Sequence, residues 1–522
     1  MNPLKNPAGL SITPKRGLRW IGGFGFVITV FWLGAGAPAL ASETLGGAVI
    51  QNCSVYGPSD LFDVYKDFLG QTVTEKTASH IAEALQRKYV DDGYSRPGYA
   101  ISDRGTASGL VRISVVEASI SSVSINGDAG PYRQKLESLV ADLPSSQSLR
   151  PEEIREALRD ARRLPGLEVS VAAEPDGQET GRYVLAVESA YRPFEGSVSV
   201  SNRGTEEIGR DILFARIAAN GLFGREMAGG LFVTSAKDSD NYAGGGLFAN
   251  AAVGARGTAV QMQAAVTSLS YDVQGIRVEQ NRSRSAFRVT HPVLRQSTRD
   301  LSAWSGLVTE DLIVDINGLK SREERLRSLE AGSTLTWRAD NRQYLLSLEV
   351  EQGLNGFGSG IDNVSAPEQA LRTDFFIARL RYVRATTLTD LWSWRLDSYA
   401  QTSPDVLPSI KRFKVGGGRI GRGFEAAAIS GDRGIGGKVQ LKRRIPGGVD
   451  WLGSADVYGF YDLGSAWRND APDRESASST GIGVSLRGGR LSGYLELAKP
   501  LTHADADGRK DPGIFAEVSF GF

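Results

Sequence analysis

From about Arg192 to Phe522 apolar and polar residues alternate one by one, in short runs separated by polar, glycine-containing turns. Successive side chains of a strand point to opposite faces, so each run can be read as two faces. In Ala455 to Gly464 one face is Ala455, Val457, Gly459, Tyr461 and Leu463, and the other is Asp456, Tyr458, Phe460, Asp462 and Gly464. Tyr344, Leu346, Leu348 and Val350 oppose Leu345, Ser347, Glu349 and Glu351 in the same way, and Phe376, Ala378, Leu380 and Tyr382 oppose Ile377, Arg379 and Arg381. The pattern predicts strands with one greasy face and one face carrying charges of both signs. Alternation alone does not separate a soluble sandwich from a membrane barrel.

Three further features favour the barrel. The runs continue for about 330 residues, which at roughly twenty residues per strand and connection gives about sixteen strands, too many for an ordinary sandwich. Tyr and Trp recur near strand ends, as at Trp337, Trp392, Trp394, Trp451 and Trp467, where a membrane interface favours amphipathic rings. The run Ile514 to Phe522 alternates into a terminal Phe, with Ala516, Val518, Phe520 and Phe522 on one face. Such a strand would meet lipid with that face and close the barrel with its edge. Residues 191–522 are therefore expected to form an all-β transmembrane barrel of about 16 antiparallel strands.

The preceding stretch carries helical periodicity instead. Ser59 to Leu69 and Glu75 to Tyr89 read as helices, the second with Ile81, Leu85 and Tyr89 on one face and Thr74 with Thr77 at its start. A strand near Ala48 to Val55 precedes them; Asp92-Gly93-Tyr94 makes a turn; Tyr99 to Ser102 and Gly109 to Glu117 follow as strands. A second set repeats the order: strand Ile120 to Ile125, helices Tyr132 to Val140 and Pro151 to Arg162, the latter opened by proline, then strands Leu167 to Ala173 and Tyr183 to Ser189 around Pro175-Asp176-Gly177. Two α+β repeats of order β-α-α-β-β are expected, over residues 42–118 and 119–190.

Residues 1–41 differ again. Lys5, Lys15, Arg16 and Arg19 precede the apolar run Trp20 to Ala37 and the triplet Ala39-Leu40-Ala41, the plan of a cleaved secretory signal peptide. Its removal would leave 56 basic residues against 60 acidic ones, a formal charge of −4. That mild acidity gives no support for nucleic-acid binding. Cys53 is the only cysteine, which rules out an intrachain disulfide and reads as a plain buried thiol. A mean hydropathy of −0.21 with 62 glycines, and no later apolar run near eighteen residues, excludes a helical membrane protein but not a β-barrel.

Candidate chemistry is sparse. His80, His291 and His503 stand in three contexts without a second ligand at metal spacing, so no cofactor, metal or catalytic site is assigned and a non-enzyme is expected. Gly416-Gly417-Gly418-Arg419-Ile420-Gly421 formally satisfies a dinucleotide fingerprint, but the loop that follows is no helix start and no βαβ unit surrounds it. Gly437-Lys438 fails as a phosphate loop because Asp432 stands where the first glycine belongs and Val439 replaces Ser or Thr.

What remains is the stretch Lys411 to Arg444, where two strand-like runs, Arg412 to Val415 and Lys438 to Arg443, flank a glycine-rich segment too long for a mere connection. At its centre Arg422-Gly423-Phe424 joins a permanent cation, a permissive backbone and an aromatic anchor. Followed by Gly431-Asp432-Arg433-Gly434, this resembles the lumenal loop of Omp85-superfamily barrels, in the form typical of two-partner secretion transporters of the hemolysin secretion/activation family. Phe460-Tyr461-Asp462-Leu463-Gly464 is similar to the family's F-x-D-x-G strand motif. The two α+β repeats resemble POTRA domains, with Lys88 to Tyr94 and Leu110 to Glu117 carrying the likeness in the first.

The resemblance implies a lumenal loop around 416–437, anchored by Arg422, Gly423 and Phe424 against Asp462 on the barrel wall, and a barrel-insertion signal ending in Phe520 and Phe522. It implies a Gram-negative outer-membrane protein with periplasmic POTRA domains that secretes an unfolded hemolysin- or adhesin-like exoprotein without hydrolysis. Its partners would be that exoprotein, added as a strand to a POTRA edge, the outer-membrane lipid and, during biogenesis, the barrel-assembly machinery, around a monomer. An Omp85-type assembly or insertion factor is the alternative. Many relatives carry an N-terminal plug helix, whereas here Ser42 to Gly47 is all that separates the cleavage site from the first strand. Either the plug is absent or another segment, such as the Lys411–Arg444 loop, closes the channel.

Overall fold

The computed structural model describes residues 44–522 apart from 103–108, 142, 144–147, 177–180, 238–239, 255, 297, 365–370, 447–452, 472–473 and 503–509. The expected signal peptide, Gly177, Trp451 and His503 lie outside the described residues. The chain divides after Tyr191 into two compact units.

The first unit holds two modules. One is β1 (Gly47–Gln51), α1 (Pro58–Tyr65), α2 (Glu75–Asp91), β2 (Gly98–Ser102) and β3 (Leu110–Val116); the other is β4 (Ser119–Gly127), α3 (Arg133–Ala141), α4 (Pro151–Ala161), β5 (Leu167–Pro175) and β6 (Arg182–Tyr191). Each folds into a three-stranded sheet in which the first strand lies parallel to the last, in the orders β1-β3-β2 and β4-β6-β5. The helices form where the sequence allows them. The Thr74 hydroxyl accepts the Thr77 backbone N–H and so satisfies one of the donors a helix start leaves free; Pro151 opens α4 at a position whose N–H would be unused. Ile81, Leu85 and Tyr89, four residues apart, bury one face of α2 against β3. Beneath it the Cys53 thiol lies 3.1 Å from the Tyr89 hydroxyl and is half-buried, not fully buried as expected. Tyr94, at the end of α2, ties the modules together: the Arg150 guanidinium lies 4.1 Å over its ring.

The second unit is a closed antiparallel barrel. Seventeen hydrogen-bonded segments ring it, and two of them, Arg342–Gly353 and Gly360–Asn363, pair with the same strand Leu319–Ala339 and form one interrupted strand, so the ring has sixteen positions. Counted from Phe194–Ser201 as position 1, Gly513–Gly521 is position 16, and the two pair to close the ring. An even number brings both ends to one rim, the entry rim. Positions 5 to 8 are long strands, Thr258–Val273, Ile276–Arg295, Arg299–Ile316 and Leu319–Ala339. At the far rim they join through Gln274-Gly275 and Asn317-Gly318, all four with positive φ as a two-residue hairpin turn requires.

The barrel wall inverts the burial of a soluble protein. Leu247, Val266, Ile482 and Leu495 are more than half exposed on the outside, whereas Glu310, Glu351, Asp462 and Glu496 are buried inside. An apolar exterior of this extent needs lipid around it. Rings gather at the entry rim, where Trp337 stacks on Tyr344 at 4.6 Å and Arg384 lies 5.0 Å from Trp394, as an interfacial girdle would.

Between Trp392–Thr402 at position 11 and Arg433–Ile445 at position 12 the chain turns into the lumen, and the inserted segment, residues 403–432, is closed by its own ribbon of Phe413–Val415 with Ile429–Gly431. This moves the boundary expected at 416–437: the wall strand resumes at Arg433, so Arg433 to Gly437 belong to the barrel. The reason is steric. A side chain at Gly434 would meet the Phe413 ring, and one at Gly464 on the neighbouring strand would meet Val415. These glycines are strand positions emptied to seat the loop, not loop positions.

Candidate functional site: a loop across the lumen

The inserted loop has a core of its own. Phe413, Val415, Ile420, Phe424 and Ile429 pack together with wall residues Ala466 and Ala477, and Gly416 and Gly417 donate back to Ile420 and Phe424 carbonyls at 2.8 and 3.0 Å. This small core holds the tip in one shape. Arg422 can therefore be aimed, not merely tethered.

Its target is Asp462, on the inward face of Ser454–Trp467 at position 13. Arg422 Nε donates to Asp462 Oδ2 at 3.0 Å and Nη2 to Oδ1 at 2.9 Å, while the backbone N–H groups of Gly421 and Arg422 reach Oδ2 at 3.2 and 2.9 Å. The fork grips both carboxylate oxygens. Arg422 Nη1 continues to Glu496 Oε1 at 3.0 Å on the strand Leu491–Pro500, position 15, and to Gln440 at 3.2 Å. The guanidinium plane lies 3.5 Å over the Phe460 ring, a cation–π contact in a nearly dry site. Gly423 must be glycine at this approach, because a Cβ there would lie 2.9 Å from Ser479 Cβ and 3.0 Å from the Lys499 carbonyl carbon. Phe424 faces the loop core.

The second motif sits at the base of the loop. Asp432, fully buried, accepts the backbone N–H of Leu407 at 2.8 Å and of Asn469 at 2.7 Å, with Arg412 Nε at 3.6 Å. It staples the two limbs of the insertion to the far-rim loop after position 13. Gly431 pairs with Phe413 in the ribbon, against the Trp467 backbone; Arg433 lies in the wall with its guanidinium 6.0 Å from the Trp467 ring; and Gly434 is the seat of Phe413. Phe520 and Phe522 lie on the outer face of the closing strand, their rings 6.4 Å apart. His80 is exposed on α2, and His291 Nδ1 lies 2.9 Å from Thr258 Oγ1.

Three participants were not singled out in the sequence. Glu496 carries the second half of the Arg422 contact and accepts the Tyr458 hydroxyl at 3.0 Å. Arg203, just past the first barrel strand, pairs with Glu496, donates to the Arg422 carbonyl at 3.4 Å and lies 4.3 Å over Phe515. Lys411, at the start of the insertion, bonds Glu310 at 3.0 Å and Glu351 at 2.5 Å. The only local signal for Glu496, Glu310 and Glu351 is a carboxylate on the inward phase of a strand, which many positions share.

Residues 182–488, from β6 into the strand Arg474–Gly488, match the family described as haemolysin secretion/activation protein ShlB/FhaC/HecB. The outer membrane transporter CdiB of Escherichia coli is 21% identical over 458 residues, covering 81% of this chain and 73% of its own length. Among solved structures, CdiB from Escherichia coli superposes with a TM-score of 0.65 at 18% identity, over 99% of this chain and 94% of that one. BamA from Haemophilus ducreyi lacking POTRA domains 1–3 gives 0.54 at 11% identity, over 92% and 100%. At these identities the structural likenesses speak for the fold.

Proposed function

The chain belongs to the haemolysin secretion/activation protein family, and from that membership we propose that it passes an unfolded partner exoprotein from the periplasm through its outer-membrane barrel to the cell surface. The observation that carries the reading is a closed sixteen-position barrel with a charged lumen crossed by a pinned loop. A charged lumen suits an extended polypeptide, whose backbone groups need polar partners at every residue. The family's members are transporters, so the work assigned to the chain is passage without hydrolysis. Folding of the client outside then makes return unfavourable by mass action.

In this reading residues 42–118 and 119–190 are two POTRA-like domains and 191–522 the transporting barrel, acting as a monomer in the outer-membrane lipid. The client first adds a strand to an open sheet edge. Among the described residues β2 pairs with β3 alone and β5 with β6 alone, so each sheet offers such an edge. Arg422, Gly423 and Phe424 hold the loop on Asp462, and Phe520 and Phe522 present the closing strand to the insertion machinery.

The test is co-expression with a candidate client, a large secreted repeat protein. The expected result is protein in the outer-membrane fraction, resistant to salt extraction, and a partner in the medium that stays in the periplasm when this chain is deleted. Secretion unchanged by the deletion overturns the transport reading. An assembly factor would instead lower the levels of unrelated outer-membrane barrels in the same deletion strain.

A further inference from the structure

Ion pairs hold the inserted loop to the wall at two ends, on either side of the strand from which it enters. Lys411 meets Glu310 at position 7 and Glu351 at position 9, whereas Arg422 meets Asp462 at position 13 and Glu496 at position 15. The insertion enters from position 11, midway between the two pairs of acids.

The Lys411 end is built as a seat. Leu407 is fully buried with Leu326, Phe375 and Ile377, and Ile410 packs on the same cluster. Lys411 itself is buried, its ammonium 3.0 Å from Glu310 Oε2, 2.5 Å from Glu351 Oε1 and 5.8 Å from the Phe375 ring. Both acids keep another cation. Glu310 also pairs with Arg282, and Glu351 with Arg379 Nη1 at 2.8 Å and the Ser328 hydroxyl at 2.8 Å. Withdrawal of Lys411 would leave the wall charges compensated, so this contact can open without stranding a buried carboxylate.

We infer that Lys411, Glu310 and Glu351 form a releasable latch that holds the inserted loop shut in the lumen, with the Arg422 end as its fixed hinge. The inference rests on the barrel being the transport path. Transit of a client displaces the Ile410–Lys411 limb from its seat, while Asp432 keeps Leu407 at the base and Asp462 keeps the tip in place for reclosure.

Purified protein in planar phospholipid bilayers tests this without any client, so its outcome is independent of whether secretion occurs. Lys411→Ala is expected to raise the open probability roughly tenfold, the equivalent of about 1.4 kcal/mol, and Lys411→Arg to stay near wild type. Should Lys411→Ala perturb insertion, judged by loss of the gel shift between heated and unheated samples, the double variant Glu310→Gln with Glu351→Gln is expected to give the same rise. Conductance of folded Lys411→Ala or of the double Gln variant at the wild-type level overturns the latch. So does a Lys411→Arg channel as leaky as the Ala variant, since the contact would then not be one of charge.

Discussion

The two ends of the lumenal bar use the same chemistry, cation on carboxylate, under opposite conditions. At the Arg422 end one guanidinium fills both oxygens of Asp462, which has no other ion-pair partner among the described residues, and stacks on Phe460. At the Lys411 end a single ammonium meets two acids that Arg282 and Arg379 already compensate. A buried charge left alone is costly, one left with a second partner is not. Redundancy at one end and exclusivity at the other make a hold that can open and a hold that cannot.

The largest expected effect comes from breaking the exclusive end. Asp462→Ala leaves the Arg422 guanidinium buried with Glu496 as its one carboxylate beside neutral Gln440, and removes the acceptor of two backbone N–H groups. The loss should approach the ~3–5 kcal/mol of a broken buried pair. Secretion should fall below detection while the barrel keeps its heat-dependent gel shift, because no lipid-facing residue has changed. Arg422→Ala should match it, and the double variant should add little beyond either. Glu310→Gln at the other end should leave secretion nearly intact. Equal damage from Asp462→Ala and Glu310→Gln would erase the contrast between the ends.

The same contrast explains what the sequence could disclose. Arg422 and Asp462 were legible because each sits in a short pattern that carries the family resemblance, an Arg-Gly-Phe in a glycine-rich run and an acid between Phe460 and Gly464, and their pairing was what that resemblance implied. The inward and outward faces of Tyr344–Val350 and Phe376–Tyr382 were equally legible, since strand alternation is local. Glu310, Glu351 and Glu496 were not, because they become partners of the loop only through the closure of sixteen strands, a property of ring register that no window contains. The loop's end was misplaced for a related reason. Gly434 and Gly436 lack side chains because Phe413 and Ile420 occupy that space, and strand residues emptied by tertiary contact look like loop residues.

Exchange of the two cation types sharpens the comparison at intermediate size. Arg422→Lys keeps the charge but cannot span Asp462 Oδ1, Oδ2 and Glu496 at once, nor lie flat on Phe460, so it forfeits about 1.5–3 kcal/mol. Secretion should drop to a fraction of wild type and the loop should become cleavable by added protease from the cell surface. Lys411→Arg should cost less, since that end asks for a point charge. Full activity of Arg422→Lys would mean that the fork geometry is idle and the tip is held by charge alone.

The smallest effect concerns how the tip is shared with the barrel closure. Glu496 takes Arg422 on Oε1 together with the Tyr458 hydroxyl, and Arg203 on Oε2. Glu496→Gln keeps one carbonyl oxygen, which can still serve Arg422 and Tyr458, but turns an amide donor toward Arg203. Arg203 has other acceptors, the Tyr494 hydroxyl at 2.8 Å and the Arg422 carbonyl, and Asp462 is untouched. The change replaces charge-assisted hydrogen bonds by neutral ones, a loss of about 1 kcal/mol. Hydrogen exchange of the Gly421 and Arg422 amides should therefore quicken roughly fivefold, with the Leu407 amide at the Lys411 end unchanged. Quickening as great as that of Asp462→Ala would make Glu496 the principal acid of the tip and move the fixed end of the bar from position 13 to the strand beside the closure. Quickening at Leu407 as well would show that the two ends open together, and the bar would then be one rigid body instead of a hinge and a latch.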